Sequence, residues 1–220
     1  MFALTEVAAT PAPLRSRRRA VFARHAASLI LWREGAQGVE VLMGVRGAGH
    51  RFMPNRLVFP GGAVDPGDRR MVASAEPDPA TLALLARNAG PRLARALVMA
   101  AARELEEETG LSFGQPPSVD RIGYLCRAVT PPESPIRFNA RFLVAPAEAA
   151  RGEAHDSREL EHVRFYPVSE AVTLGLMGVT REILLRLAPY LAQDAAARAA
   201  GLFVYRRRAW VAERAARMQS

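Results

Sequence analysis

The run Ala102-Arg103-Glu104-Leu105-Glu106-Glu107-Glu108-Thr109-Gly110-Leu111 decides how the rest of this chain is read. In a helix, positions i, i+3 and i+4 share one face, so Glu104, Glu107 and Glu108 project together. Ala94, Val98, Ala101, Ala102 and Leu105 form an apolar stripe turned roughly 100° away. Three carboxylates on one stripe repel one another, and a hard, oxygen-seeking cation such as Mg2+ is their natural partner. Gly110 then serves as the helix stop. Upstream, Phe59-Pro60-Gly61-Gly62-Ala63-Val64-Asp65-Pro66-Gly67-Asp68 carries two adjacent glycines, whose backbone can approach a ligand closely.

Together the two runs resemble the Nudix box, G-x5-E-x7-R-E-U-x-E-E-x-G-U with U aliphatic. The second half is complete, from Arg103 to Leu111. The first half is Gly62-x5-Asp68, with aspartate where the pattern has glutamate. Between Asp68 and Arg103 lie 34 residues, 69–102, where the pattern has seven. The resemblance implies an α+β chain with an α/β/α sandwich around a mixed sheet. It also implies hydrolysis of a nucleoside diphosphate linked to another moiety, with Mg2+ or Mn2+ as cofactor. Its metal ligands here would be Glu107, Glu108 and the Gly61 carbonyl. Glu104 would take a further metal or orient water, as a catalytic group. Arg103 would be structural, paired with a box carboxylate such as Asp68, and Gly62 and Gly110 would hold the motif's shape. Many members place another catalytic glutamate six residues ahead of an aromatic. Glu159 precedes Phe165 by that spacing and is the candidate base, with Glu153 and Glu161 as rivals.

A second signature, upstream of Phe-Pro-Gly-Gly, is similar to the coenzyme A diphosphatase branch. Arg46 and Arg51 fall at its spacing, whereas Met43, Gly44, Gly47 and Asn55 depart from it. The long insertion and the stretch Thr130-Pro131-Pro132 … Arg137-Phe138 … Arg141-Phe142 also resemble that branch. The resemblance implies cleavage of coenzyme A or acyl-coenzyme A to 3′,5′-ADP and the 4′-phosphopantetheine half. Arg46 and Arg51 would bind substrate, one of them reading the 3′-phosphate by paired, charge-assisted hydrogen bonds. Two alternatives stand beside it. One is a broader hydrolase acting on ADP-ribose, NADH or capped RNA. The other is a non-catalytic Nudix domain that binds a nucleotide or RNA, although such domains usually lose the glutamates retained here.

Composition sets the remaining bounds. At 220 residues the chain suits one domain with extensions. All 30 cationic residues are arginine, and the net charge of +8 favours polyanionic partners without choosing among them. A small nucleotide is the expected partner, nucleic acid is compatible but not favoured, and a symmetric homodimer is compatible too. The single cysteine, Cys126, rules out an intrachain disulfide and reads as a core residue in a reducing compartment. No apolar run approaches the length of a membrane span. Residues 1–20, rich in arginine, alanine and proline, read as a flexible arm, and the absence of a clean apolar segment after it makes the cytoplasm the default.

From residue 21 to 175 the chain reads as the motif-bearing domain, with 176–220 as a C-terminal, helical extension packed on it. Val21–Trp32 and Val39–Arg46 read as strands joined by a turn, followed by the short strand Leu57–Phe59. Within the insertion, 69–91, Pro77-Asp78-Pro79 starts a helix over Thr81–Asn88, and its leucines are too apolar for a free linker. The main helix spans Arg92–Thr109. Asp120–Val129, Phe138–Ala145 and Val163–Tyr166 read as strands, and 147–158 as a polar loop. Thr180–Ala199 reads as a helix with a break at Pro189, and Phe203–Met218 suits strand or helix.

Overall fold

The computed structural model describes residues 21–49, 54–200, 202–207 and 209–212. The arm 1–20, Arg51 and residues 213–220 lie outside the described residues.

Strand β1 (Arg24–Gly35) is the axis of the described mixed sheet. Along one side it pairs in parallel with β6 (Phe138–Pro146). Along the other it pairs antiparallel with β4 (Gly61–Ala63) near its start and with β2 (Gly38–Arg46) near its end. β2 also carries β3 (Leu57–Val58) and β7 (Leu160–Pro167). Beyond β6 come β5 (Gly123–Val129), β8 (Phe203–Arg206) and β9 (Ala209–Ala212). The first strand starts later than its hydrophobicity suggests, because Phe22 is 94% exposed and contributes nothing to the core. The Pro-Gly-Gly segment is more than a turn: Gly61 and Gly62 run on as sheet beside Ser28 and Ala27.

Alternation on β1 serves two cores. Ala27, Leu29 and Leu31 face α2 (Pro91–Thr109), whereas Ile30 faces the side covered by α4 (Gly178–Leu191). Helices on both faces of a mixed sheet give the α/β/α sandwich. Helix α2 begins at Pro91, where a missing N–H costs nothing, and ends at Gly110. Gly110 has φ +76°, and a Cβ there would overlap the His155 ring, so only glycine fits. The apolar stripe is buried as its spacing predicts, and Leu97 and Leu105 are fully buried. Each such leucine contributes about 2 kcal/mol by leaving water.

The insertion packs on α2 of its own chain. Its helix, α1 (Pro79–Ala86), is capped by Asp78, which accepts from the Thr81 N–H at 2.8 Å, and buries Leu85. Arg95 of α2 donates to both carboxylate oxygens of Glu76 at 2.7 Å and to the Met71 carbonyl at 2.9 Å. After β7 come the short α3 (Val168–Ala171), then α4 and α5 (Ala195–Ala200). Pro189 does not break α4, which runs two residues past it. The break falls where Asp194 accepts from the Ala197 N–H and starts α5. The stretch from Phe203 resolves as a hairpin over 203–212, joined in parallel to β5. Neighbouring-strand pairing supplies what local propensity left open. No helix among the described residues is long and apolar enough to cross a membrane.

Candidate active site

The last two turns of α2 meet β4, because β4 is held on β1 and α2 is packed against the same strand. Gly62 sits directly under Glu104: a Cβ at this position would overlap the Glu104 carboxylate. Next to it, the Gly61 N–H donates to Glu108 Oε2 at 2.7 Å in a buried setting. The two glycines and two glutamates, 42–47 positions apart in the chain, thus form one corner.

The three box glutamates have different surroundings. Glu108 is buried, with 3% side-chain exposure, whereas Glu107 is 58% exposed. Glu104, at 12%, is in between. Burial pushes the Glu108 carboxyl up to about 8. The Gly61 N–H and Arg46 oppose this rise, and the charges of Glu104 and Glu159 add to it. Burial also raises Glu104, against the pull of Arg103 and with the repulsion of Glu107 and Glu159. A carboxylate that loses its water and faces like charges holds a proton unless a cation replaces it.

On one side of this cluster Arg103 is saturated. Its Nε donates to Asp68 Oδ1 at 2.8 Å, and its remaining nitrogens reach Glu104 at 2.8 Å, Glu107 at 2.9 Å, and Asp68 Oδ2 and the Ala63 carbonyl at 3.2 Å. Asp68, 1% exposed, also accepts from the Asp65 N–H at 2.7 Å. Aspartate reaches Arg103 from this turn even though it is one methylene shorter than the glutamate of the pattern. These contacts push the Arg103 pKa up, with the Asp68 hydrogen bond the largest cause.

On the other side stands Arg46, at the end of β2. Its side chain lies 3.5 Å from the Gly61 carbonyl and 3.9 Å from Glu108 Oε1, and its buried Nε has no hydrogen-bond partner among the described residues. Sequence spacing alone did not bring Arg46 to the glutamates of α2. The one available signal was its place where a strand ends opposite the glycine run.

Glu159 lies just before β7. Its carbonyl accepts from the Gly47 N–H at 3.2 Å, beside Arg46, and its charge acts on both Glu104 and Glu108. The preceding loop is fixed to the end of α2 by the reciprocal Ser112–Arg151 backbone bonds and by the His155 N–H on the Thr109 carbonyl. Glu153 and Glu161 are exposed.

This donor set suits a divalent oxygen-seeking ion. Among the described residues no three acidic, histidine or cysteine side chains form a ready-made cage. Mg2+ does not require one, since it usually keeps several waters and takes one or two carboxylates plus substrate phosphates. Buried Glu108 has no cation closer than Arg46 at 3.9 Å, and it stands with the Gly61 N–H, the Gly61 carbonyl and two further carboxylates that share one arginine, so the residues fit the ion.

No family model and no curated protein matches the sequence. Solved structures do match by shape. A Nudix hydrolase from Alicyclobacillus acidocaldarius superposes with a TM-score of 0.62 at 24% identity, over 78% of this chain and 96% of that one. A MutT Nudix hydrolase from Burkholderia pseudomallei gives 0.50 at 18% identity, over 76% and 99%. The chain has the Nudix fold.

Proposed function

We propose that this chain hydrolyses the diphosphate linkage of a nucleoside diphosphate derivative, using a divalent metal. The observation behind this reading is the closure of the Gly61 backbone on buried Glu108, with Glu104 and Arg46 at the same corner. Glu104, Glu107, Glu108 and the Gly61 carbonyl would hold the metal. When bound, the ion neutralises phosphate oxygens and lowers the pKa of the attacking water. Arg46 meets the diphosphate, since its under-used guanidinium lies against the same carbonyl and carboxylate. Glu159 takes the proton from the water, its carboxylate being free in solvent and directed by charge at the same corner. Arg103 and Asp68 fix the distance between α2 and β4 and touch no substrate. The retained glutamates argue against a purely binding module.

For the substrate, we favour coenzyme A or acyl-coenzyme A, on the spacing of Arg46 and Arg51 and on the inserted motif. Arg46 beside Glu108 suits a diphosphate contact, which leaves Arg51 as the reader of the 3′-phosphate. That same position of Arg46 favours a second reading, ADP-ribose or a related dinucleotide, because a diphosphate grip serves every such substrate. A panel of coenzyme A, dephospho-coenzyme A, ADP-ribose and NADH, each with Mg2+ or Mn2+, tests both. The expected result is the highest kcat/KM on coenzyme A. A preference for ADP-ribose moves the assignment to the second reading, and no metal-dependent hydrolysis of any of them refutes the activity.

A further inference from the structure

Two additions to the motif-bearing core meet at one place. The inserted segment ends in the turn around Asn88, and the C-terminal hairpin β8–β9 extends the sheet beside it. Between them lies a cavity of about 400 Å3, walled by Asn88, Arg127, Val204, Arg206, Val211 and Ala212. None of these six residues is acidic. The register explains the floor. Ala27 pairs with Arg141, Arg141 with Arg127, Arg127 with Val204, and Val204 with Val211. Residues paired across strands share a face, and Ala27 belongs to the α2 core. One row across five strands therefore sets two adjacent arginines on the face that carries the candidate active site.

Arg141 is 1% exposed and fixes the wall from behind. It donates to the Asn88 carbonyl at 3.1 Å and the Asn139 carbonyl at 2.9 Å, and lies 3.0 Å from His25 Nδ1. With its backbone held in this way, Asn88 keeps a side-chain Nδ2 that is buried and has no hydrogen-bond partner among the described residues. Partial burial, then the positive charges of Arg141, Arg127 and Arg69, hold His25 below its ordinary pKa. Three arginines thus act on this corner, and a buried amide donor without an acceptor is costly.

We propose that this cavity binds the phosphate group of a phosphorylated small molecule, with Arg127 and Arg206 meeting its charge and Asn88 Nδ2 donating to an oxygen. A guanidinium fork matches phosphate geometry and stays charged at every relevant pH. The volume lies within the ~300–1,000 Å3 of small-molecule sites, and Val204, Val211 and Ala212 offer an apolar wall to the body that carries the phosphate. From Gly62 to Arg127 is three strand spacings, about 14 Å. The phosphate therefore belongs either to a separate molecule or to the far end of one whose diphosphate lies at Glu108. The site itself stands apart from the hydrolysis proposed above.

Calorimetric titration of the full chain with inorganic phosphate and with 3′,5′-ADP tests it. Asn88→Asp keeps the shape but replaces the donor with a negative charge, and Arg206→Glu reverses an exposed charge at the mouth. Each variant is expected to weaken binding at least about tenfold, the loss of a charge-assisted hydrogen bond, with an unchanged circular dichroism spectrum. Arg46→Ala is expected to retain saturable phosphate binding. Absence of saturable binding by the wild type, unaltered affinity in both cavity variants, or loss of binding in Arg46→Ala alone overturns the proposal. If Arg206→Glu weakens binding of coenzyme A but not of dephospho-coenzyme A, the phosphate is the substrate's own. If phosphate binds equally with and without bound coenzyme A, it belongs to a separate ligand.

Discussion

Two arginines approach the same acidic turn of α2 from opposite sides, and they differ in how much of their hydrogen bonding is used. Arg103 spends its fork on Asp68, Glu104, Glu107 and the Ala63 carbonyl. Among the described residues Arg46 makes one long contact to the Gly61 carbonyl and a distant ion pair with Glu108, and leaves a buried Nε without a partner. A saturated arginine has nothing left to give a ligand, so the Arg103 side holds the fold. An under-used arginine beside a buried carboxylate has been desolvated without full compensation, so the Arg46 side is where the proposed function puts ligand and metal. On the proposed function, stability rests on one side and turnover on the other.

The sharpest way to break this contrast is Glu108→Gln, which keeps the shape of the Arg46 side and removes its charge. Turnover at saturating Mg2+ should fall at least ~10²-fold, as when a group that stabilises developing charge is removed. A variant near the wild-type rate would remove Glu108 from the site.

Arg46→Ala comes next. Losing a charge-assisted hydrogen bond costs about 1.5–3 kcal/mol, roughly 10- to 150-fold in kcat/KM. If Arg46 grips the diphosphate, coenzyme A and dephospho-coenzyme A should suffer alike. A loss confined to coenzyme A would instead make Arg46 the reader of the 3′-phosphate.

On the opposite side, Asp68→Ala leaves Arg103 without its main buried partner. Removing one member of such a pair costs about 3–5 kcal/mol, which for a chain of this size lowers Tm by about 6–20 °C. Residual activity measured well below the new Tm should change less than in Glu108→Gln. A Tm within about 2 °C of wild type would show that the Arg103 side does not hold the fold.

The last effect is on pH. Glu108 titrates from the ordinary 4.5 in the unfolded chain to about 8 in the fold. Between those values the folded state holds the extra proton, so stability in the presence of chelator should fall as pH rises through the window and level off above it. Below the window both states are protonated, so the slope vanishes and the stability is at its highest. Mg2+ should offset the fall more strongly at higher pH, where no proton competes for the carboxylate. Thermal melts of wild type and Glu108→Gln, with and without Mg2+, measure this, and equal slopes for the two would contradict the raised Glu108 pKa.

Much of this protein was legible in the sequence because its signals are local. The 3.6-residue period fixed α2 and its buried stripe, Gly110 fixed its end, and Asp78 marked the start of the inserted helix. The fold class followed from the order of strands and helices together with the motif. The glutamates were visible as one face of a helix, and Arg103 as their neighbour one turn away.

What the sequence could not decide were properties of long-range pairing. Glu107 and Glu108 are adjacent and chemically identical, yet only Glu108 is buried, because β4 docks on that side of α2. Arg46 reaches Glu108 only once β2 and β4 flank the same strand, so spacing along the chain marked it as substrate-binding without separating its role from that of Arg51. Residues 203–212 have no decisive local preference, and the open edge of β5 makes them strand. In the sequence Arg141 is one residue of a stretch that carries a resemblance and nothing more. It stands on the core face of its strand, a position where a charge signals a purpose, and register with Ala27 and Arg127 is what reveals it. Periodicity and capping act within a few residues and survive in the sequence, whereas burial and charge proximity depend on which distant segments share a strand edge, and these arise only when the chain has folded.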